Sequence, residues 1–128
     1  NSLLDDIPKN FPAIIKINKI QKKVANIGFE YKNDIHAVNK VIEEAKELKK
    51  EIENKEKKRI KEELGDLLFA SLDVARKLNL NPEIILSKSN DKFVKRWKKV
   101  EKLIKKDKKN LEFINLKNLE KYWKLAKN

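Results

Sequence analysis

The chain has 128 residues, of which 41% are charged and 40% hydrophobic, and its formal net charge at pH 7 is +12. That length is enough for one domain with a hydrophobic core, and the absence of cysteine excludes disulfides and thiolate zinc sites. With only 2 glycines and 3 prolines, the composition favours long helices over a strand-rich fold with many tight turns.

The excess of basic residues raises nucleic-acid binding as an alternative function. Of the 32 basic residues only Arg59, Arg76 and Arg96 are arginines, whereas specific readers of grooves and phosphates usually rely on the bidentate arginine fork. The lysines are scattered along the chain. We therefore expect no nucleic acid among the partners, and no membrane, because no apolar run is long enough to cross one. Without cysteine, a reducing cytoplasm is the expected location.

The first of five predicted helices covers about Pro12–Ile27, where isoleucine and valine recur at three- and four-residue spacing. Gly28 follows it at the position of a C-terminal cap. Asp34 is predicted as the N-cap of the second helix. The apolar stripe of that second helix runs from Val38 to Ile52.

The third helix is predicted to begin in the lysine- and glutamate-rich stretch 54–58 and to run to about Leu78. From Leu64 onwards it is apolar on most sides, which is typical of a helix that is buried on most sides. In so small a chain, this pattern predicts that a second subunit covers part of the helix. Gly65, inside this apolar segment, indicates a close approach by a neighbouring helix or a ligand.

Asn81 and Pro82 are predicted as the N-cap and first residue of the fourth helix, which continues through Ile104. A short fifth helix carries the apolar residues of the segment 116–123. The sequence shows neither the alternation of strands nor a glycine-rich phosphate loop. We therefore predict an all-α fold, a helix bundle completed by homodimerisation.

Two acidic pairs lie on the second and third predicted helices. Glu44 and Glu47 are three residues apart, as are Glu63 and Asp66, so each pair spans about 60° on one flank of its helix. Arg59 falls on the same flank as the second pair. If the two helices pack side by side, four carboxylates converge and repel one another unless a cation lies among them. Carboxylate oxygens suit Mg²⁺, although one such pair alone is usually a solvated helix face.

The fourth helix offers Lys92 and Arg96 one turn apart, with Asn90 nearby. Together they could hold phosphate oxygens, or they could belong to a solvated basic face. Trp123 and Lys127 have the same spacing, and Trp123 suits a core or an interface better than a base-stacking surface. His36, at a helix start, is interpreted as structural, because no other group of a hydrolytic triad accompanies the single histidine.

The acidic pairs and their surroundings resemble the MazG family of all-α nucleoside triphosphate pyrophosphohydrolases. The resemblance covers about Ser2 to Lys127 and is greatest to the C-terminal of the two tandem domains that many MazG proteins carry. It predicts a single MazG-like domain over residues 1–128, the C-terminal part of a longer protein. The segments that resemble the family are Leu3–Pro8, Ile20–Lys23, Val24–Phe29, Glu43–Glu47, Glu62–Ala70 and Asn90–Arg96.

The resemblance implies hydrolysis of nucleoside triphosphates to nucleoside monophosphate and pyrophosphate, which would cleanse the nucleotide pool. It implies that the four acidic residues are the catalytic ligands of Mg²⁺, with Mn²⁺ as a substitute: Glu44, Glu47, Glu63 and Asp66. It also implies a set of substrate-binding residues: Arg59, Asn90, Lys92, Arg96, Trp123 and Lys127.

Three positions depart from the family pattern and bear on nucleobase preference: Tyr31 replaces a Trp, Lys95 an Arg and Trp97 a Phe. The alternative function is a non-catalytic helical interaction or nucleic-acid-binding module. Retention of all four acidic residues favours the enzyme.

Overall fold

The computed structural model describes residues 1–127, which form helices and no strand. The helices are α1 (Ala13–Asn26), α2 (Asp34–Glu53), α3 (Lys57–Lys77), α4 (Pro82–Lys106) and α5 (Leu116–Leu125), with a 3₁₀ helix at Leu111–Phe113. The predicted all-α class is therefore confirmed. No helix of these residues is long and apolar enough to span a bilayer. The chain divides into two compact units, of which the first covers Asn1–Glu83 and the second begins at Ile84.

Side-chain caps define the starts of α2 and α4. The side chain of Asn33, in an extended conformation, accepts a hydrogen bond from the backbone N–H of His36 at 2.9 Å. The prediction that Asp34 is the N-cap is therefore wrong by one residue: Asp34 is the first helical residue, where its charge suits the positive end of the helix dipole. Asn81 accepts from the backbone N–H of Glu83 at 2.9 Å, which confirms the predicted start of α4.

The helix ends use the left-handed backbone region. Gly28, which follows the C-cap residue of α1, has a φ of 95°, a conformation that glycine adopts without steric cost. Its predicted role at the end of α1 is confirmed. Lys55, Asn79 and Lys108 adopt φ angles of 56–58° after α2, α3 and α4, as is common where a helix stops.

In the first unit, α3 packs against both α1 and α2. The short connection between α2 and α3 makes them antiparallel, so that Glu51 near the end of α2 lies 3.8 Å from Arg59 near the start of α3. Ala37 of α2 and Ala70 of α3 are buried. Gln21 of α1 is also buried, and its Nε2 donates to the backbone carbonyl of Phe69 at 2.9 Å. This hydrogen bond fixes the register of α1 on α3.

The second unit has its own small core from α4 and α5. Val100 and Ile104 of α4 pack with Tyr122 and Ala126, all of them buried. The hydroxyl of Tyr122 donates to the carboxylate of Asp107 at 2.6 Å. This core holds the end of α4 against α5.

Helix α3 keeps a large apolar face exposed in the single chain. Leu64, Leu68 and Phe69 are 44%, 57% and 43% exposed, so the predicted burial on most sides is not reached within one chain. No described atom outside the local backbone lies within 4 Å of a Cβ built on Gly65. The predicted close approach by a neighbouring helix is therefore wrong for the described residues, whereas the approach of a ligand stays a prediction.

Candidate metal centre

Three carboxylates meet where α2 faces α3. One oxygen each from Glu44, Glu63 and Asp66 lies within 4.8 Å of the others. Glu44 is buried, Glu63 is half-buried and Asp66 is exposed. The antiparallel pairing of α2 and α3 is what turns two pairs far apart in sequence into one cluster. The structure thus brings together three of the four residues predicted as metal ligands.

Electrostatics in this cluster favour an added cation. Partial burial, a hydrogen bond with Glu44 and the charges of nearby carboxylates raise the pKa of the Glu63 carboxyl above its usual range. Those carboxylates include Asp66 and also Glu47, the fourth predicted ligand, whose charge therefore acts on the cluster. A raised pKa means that nearby positive groups of the protein do not fully neutralise the negative charge of the clustered carboxylates. An all-oxygen donor set of this kind fits a hard divalent ion such as Mg²⁺.

Lys40 was missed by the sequence analysis. Its Nζ lies 3.0 Å from Glu44 and 3.3 Å from Glu43. The hydrogen bond to Glu44 is the main cause that raises the pKa of Lys40. The spacing of four residues between Lys40 and Glu44 was a signal in the sequence, but such pairs are common on any helix surface. In the structure, the ion pair holds the buried carboxylate of Glu44 in place.

A cavity of about 200 Å³ is lined by two of the three carboxylates, Glu44 and Asp66. We call it the Tyr31 cavity. Burial raises the pKa of the Tyr31 hydroxyl, so this group stays protonated at neutral pH. The residues that line it are Tyr31, Lys40, Glu44, Asp66, Phe69, Ala70 and Asp73.

Arg59 lies further along the same pair of helices. Its guanidinium is 3.8 Å from the buried carboxylate of Glu51 and its side chain is 70% exposed. Arg59 and Lys50 line a second cavity of about 440 Å³ at the α2–α3 turn. The described contacts of Arg59 are therefore with Glu51, and a contact with substrate stays a prediction.

The other predicted substrate residues belong to the second unit, where Arg96 and Trp123 are in contact. Nε and Nη2 of Arg96 donate to the backbone carbonyl of Trp123 at 3.0 and 2.6 Å. The guanidinium also lies 4.0 Å from the centre of the Trp123 ring, and the Phe93 ring is 5.0 Å from it. Both neighbours cover Trp123, which fits its interpretation as a packed aromatic. Asn90, Lys92 and Lys127 are exposed.

Comparison with known families shows where this chain belongs. Residues 34–109 match the family described as the MazG nucleotide pyrophosphohydrolase domain. The chain is a member of the MazG family. The resemblance seen in the sequence is thereby confirmed, and the matched region of this MazG domain includes all four acidic residues.

The alignments with several curated relatives cover almost the whole chain. The chain is 37% identical over 129 residues to the nucleoside triphosphate pyrophosphohydrolase of Escherichia coli (strain K12). It is 39% identical over 127 residues to the nucleoside triphosphate pyrophosphohydrolase/pyrophosphatase MazG of Thermotoga maritima. Both alignments cover 99% of this chain and 49% of the relative. It is also 39% identical to the uncharacterized protein YabN of Bacillus subtilis, covering 26% of that protein. The chain thus spans about half the length of the first two relatives.

Proposed function

We propose that this MazG-family chain hydrolyses nucleoside triphosphates to nucleoside monophosphate and pyrophosphate, and depends on Mg²⁺ to do so. The observation that carries the proposal is the convergence of Glu44, Glu63 and Asp66, with a raised pKa at Glu63. Two relatives named as nucleoside triphosphate pyrophosphohydrolases support the substrate class. The reaction would cleanse the nucleotide pool of the cytoplasm.

In this proposal Glu44, Glu47, Glu63 and Asp66 hold Mg²⁺, and Mn²⁺ can substitute because it also accepts oxygen ligands. When bound, such an ion polarises a phosphate and lowers the pKa of a water. The ion pair with Lys40 keeps Glu44 oriented towards the other ligands.

Positive side chains would hold the triphosphate. In the second unit, Lys92 is exposed on α4. Arg96 uses Nε and Nη2 to bind the Trp123 carbonyl, and its Nη1 takes no part in those two hydrogen bonds. Charge-assisted bonds of this type stabilise phosphate oxygens and the charge that develops during cleavage. The remaining proposed substrate residues are Arg59, Asn90, Trp123 and Lys127.

A homodimer completes the proposal. The exposed face of α3 at Leu64, Leu68 and Phe69 is apolar, and a contiguous apolar surface of this kind is typical of a protein interface. A second copy of the chain would bury it in a symmetric contact.

The reaction is tested by product analysis. The purified chain is incubated with a mixture of nucleoside triphosphates, with Mg²⁺ or with a chelator, and the products are separated by ion-exchange chromatography. We expect monophosphate and pyrophosphate only with Mg²⁺, and a strongly reduced yield from Asp66→Asn, which removes a ligand charge. Diphosphate and orthophosphate as products would contradict the proposal. No turnover would favour the non-catalytic helical module instead.

A further inference from the structure

We propose that the Tyr31 cavity receives the sugar of the nucleotide and that Asp73 accepts a hydrogen bond from one of its hydroxyl groups. The inference deepens the proposed function and rests on it. The cavity shares Glu44 and Asp66 with the metal centre, so its occupant lies directly beside the reacting phosphate. Its volume is about 200 Å³, and a sugar ring fits within such a space.

The charges around the cavity favour the sugar over the phosphate tail. Three of its lining residues are the acids Glu44, Asp66 and Asp73, and its single cation, Lys40, is already paired with Glu44. This lining repels a polyphosphate. Cleavage beside the α-phosphorus places that phosphate at the metal centre, and the group attached to it on the other side is the sugar. An uncharged ring with hydroxyl donors is therefore the part of the substrate that suits an acidic cavity.

Two cationic side chains lie on the other side of the metal centre from the Tyr31 cavity, further along α2 and α3. Lys50 and Arg59 line the cavity at the α2–α3 turn, whereas the Tyr31 cavity lies towards the start of α2. From Glu44 to Glu51, the partner of Arg59, the helix rises about 10 Å. A triphosphate that extends from the metal centre towards Arg59 leaves its sugar on the side of Tyr31.

Asp73 is held as an acceptor by a buried network of ion pairs. Nε of Arg76 donates to Oδ1 of Asp73 at 2.6 Å, and the two side chains are only 9% and 13% exposed. Arg76 is anchored in turn by Glu30, which also accepts from Lys77 at 2.7 Å. The fixed guanidinium keeps the Asp73 carboxylate oriented, and no described side chain donates to its other oxygen, Oδ2. A preoriented, partly desolvated carboxylate forms stronger hydrogen bonds than one in water.

Aromatic side chains give the cavity its apolar walls. Tyr31 and Phe69 line it together with Ala70, and their flat surfaces suit the C–H face of a sugar ring. Tyr31 is adjacent in sequence to Glu30, so the ion pairs of Glu30 with Arg76 and Lys77 also fix the position of Tyr31. The same network thus orients an aromatic wall and a hydroxyl acceptor.

The test compares a ribonucleoside triphosphate with its 2′,3′-dideoxy analogue, which keeps the base and the phosphates. For wild type we expect kcat/KM to be about ten- to a hundredfold lower with the analogue than with the ribonucleotide. This is the effect expected when one hydrogen bond to a charged group is lost. In Asp73→Ala the two substrates should react at nearly equal rates. Asp73→Asn keeps the shape of the side chain and an oxygen for Arg76. Its ratio of kcat/KM values for the two substrates should lie between those of wild type and Asp73→Ala. Asp34→Ala, at an exposed aspartate on α2, is the matched control and should keep the wild-type ratio.

The outcomes separate this inference from the proposed function. Equal rates with both substrates in wild type, with monophosphate and pyrophosphate as products, would overturn the sugar site and leave the function intact. A wild-type ratio in both Asp73 variants would likewise remove Asp73 from the site. Failure of wild type to hydrolyse any nucleoside triphosphate would overturn both proposals together.

Discussion

Arg96 has a structural task in addition to its proposed contact with phosphate. Its two hydrogen bonds to the Trp123 carbonyl and its stacking on the Trp123 ring join α4 to α5. Hydrogen bonds from a charged donor contribute about 1.5–3 kcal/mol. Arg96→Ala should therefore lower the free energy of unfolding by about that amount, measured by urea denaturation, and should also lower kcat/KM.

Lys92 is the matched control on the same helix face, because it is exposed and holds no helix end. Lys92→Ala should raise KM while the urea midpoint stays at the wild-type value. Wild-type stability in Arg96→Ala would show that its contacts with Trp123 contribute nothing. An unchanged KM in Lys92→Ala would place Lys92 outside the substrate site.

At the scale of the element, Glu30 ties the α1–α2 connection to the end of α3. Its hydrogen bond with Lys77, assisted by Arg76, lowers the pKa of Glu30 below the ordinary 4.5. A carboxylate with a lowered pKa stabilises the fold above its unfolded pKa, and this stabilisation is lost as the pH falls through the folded value. Glu30→Gln should therefore be less stable than wild type near neutral pH.

The difference in the free energy of unfolding between Glu30→Gln and wild type should shrink as the pH falls below 4.5. The reason is that protonation removes the charge of Glu30 from wild type as well. Urea unfolding of both proteins over a series of pH values measures it. A difference that does not change with pH would show that the charge of Glu30 contributes nothing to the pairing.

The elements themselves were largely predictable from sequence. Pro12, Gly28 and the Asn81–Pro82 pair punctuate the chain, and the observed ends of α1 and the start of α4 fall within one residue of the prediction. Asn33 and Asp34 are both good caps, so local sequence alone does not decide between them. The flank shared by each acidic pair was predictable because the helical period fixes it.

What the sequence did not reveal depends on tertiary pairing. Asp73 is seven residues beyond Asp66 on α3, and only the packing of α2 and the α1–α2 connection against that helix makes it line a cavity with Tyr31. Lys40 carried a local signal, but helix-surface ion pairs are too common for it to be distinctive. Gly65 suggested a close contact with a neighbouring helix, and no described helix makes one.

At the scale of the whole molecule, the exposed apolar face of α3 predicts self-association. Light scattering at micromolar concentration should give the mass of a dimer for wild type. Leu68→Glu places a charge where an apolar side chain, 57% exposed in one chain, would be buried, and desolvating that charge is costly. This variant should have the mass of a monomer. Lys61→Glu, an exposed control on α3, should stay dimeric, and a monomeric wild type would contradict the prediction.

The proposed function requires that Glu44, Glu47, Glu63 and Asp66 bind the metal that the reaction needs. Thermal melting of wild type and Asp66→Asn, first with a chelator and then with Mg²⁺, tests it most directly. Without metal the variant should melt at or above the wild-type temperature, because one repelling charge is removed. Mg²⁺ should raise the wild-type Tm, since it binds the folded state, and should raise that of the variant much less. Glu62→Gln, outside the cluster, should respond as wild type does. Equal Mg²⁺ shifts in wild type and Asp66→Asn would contradict the metal site.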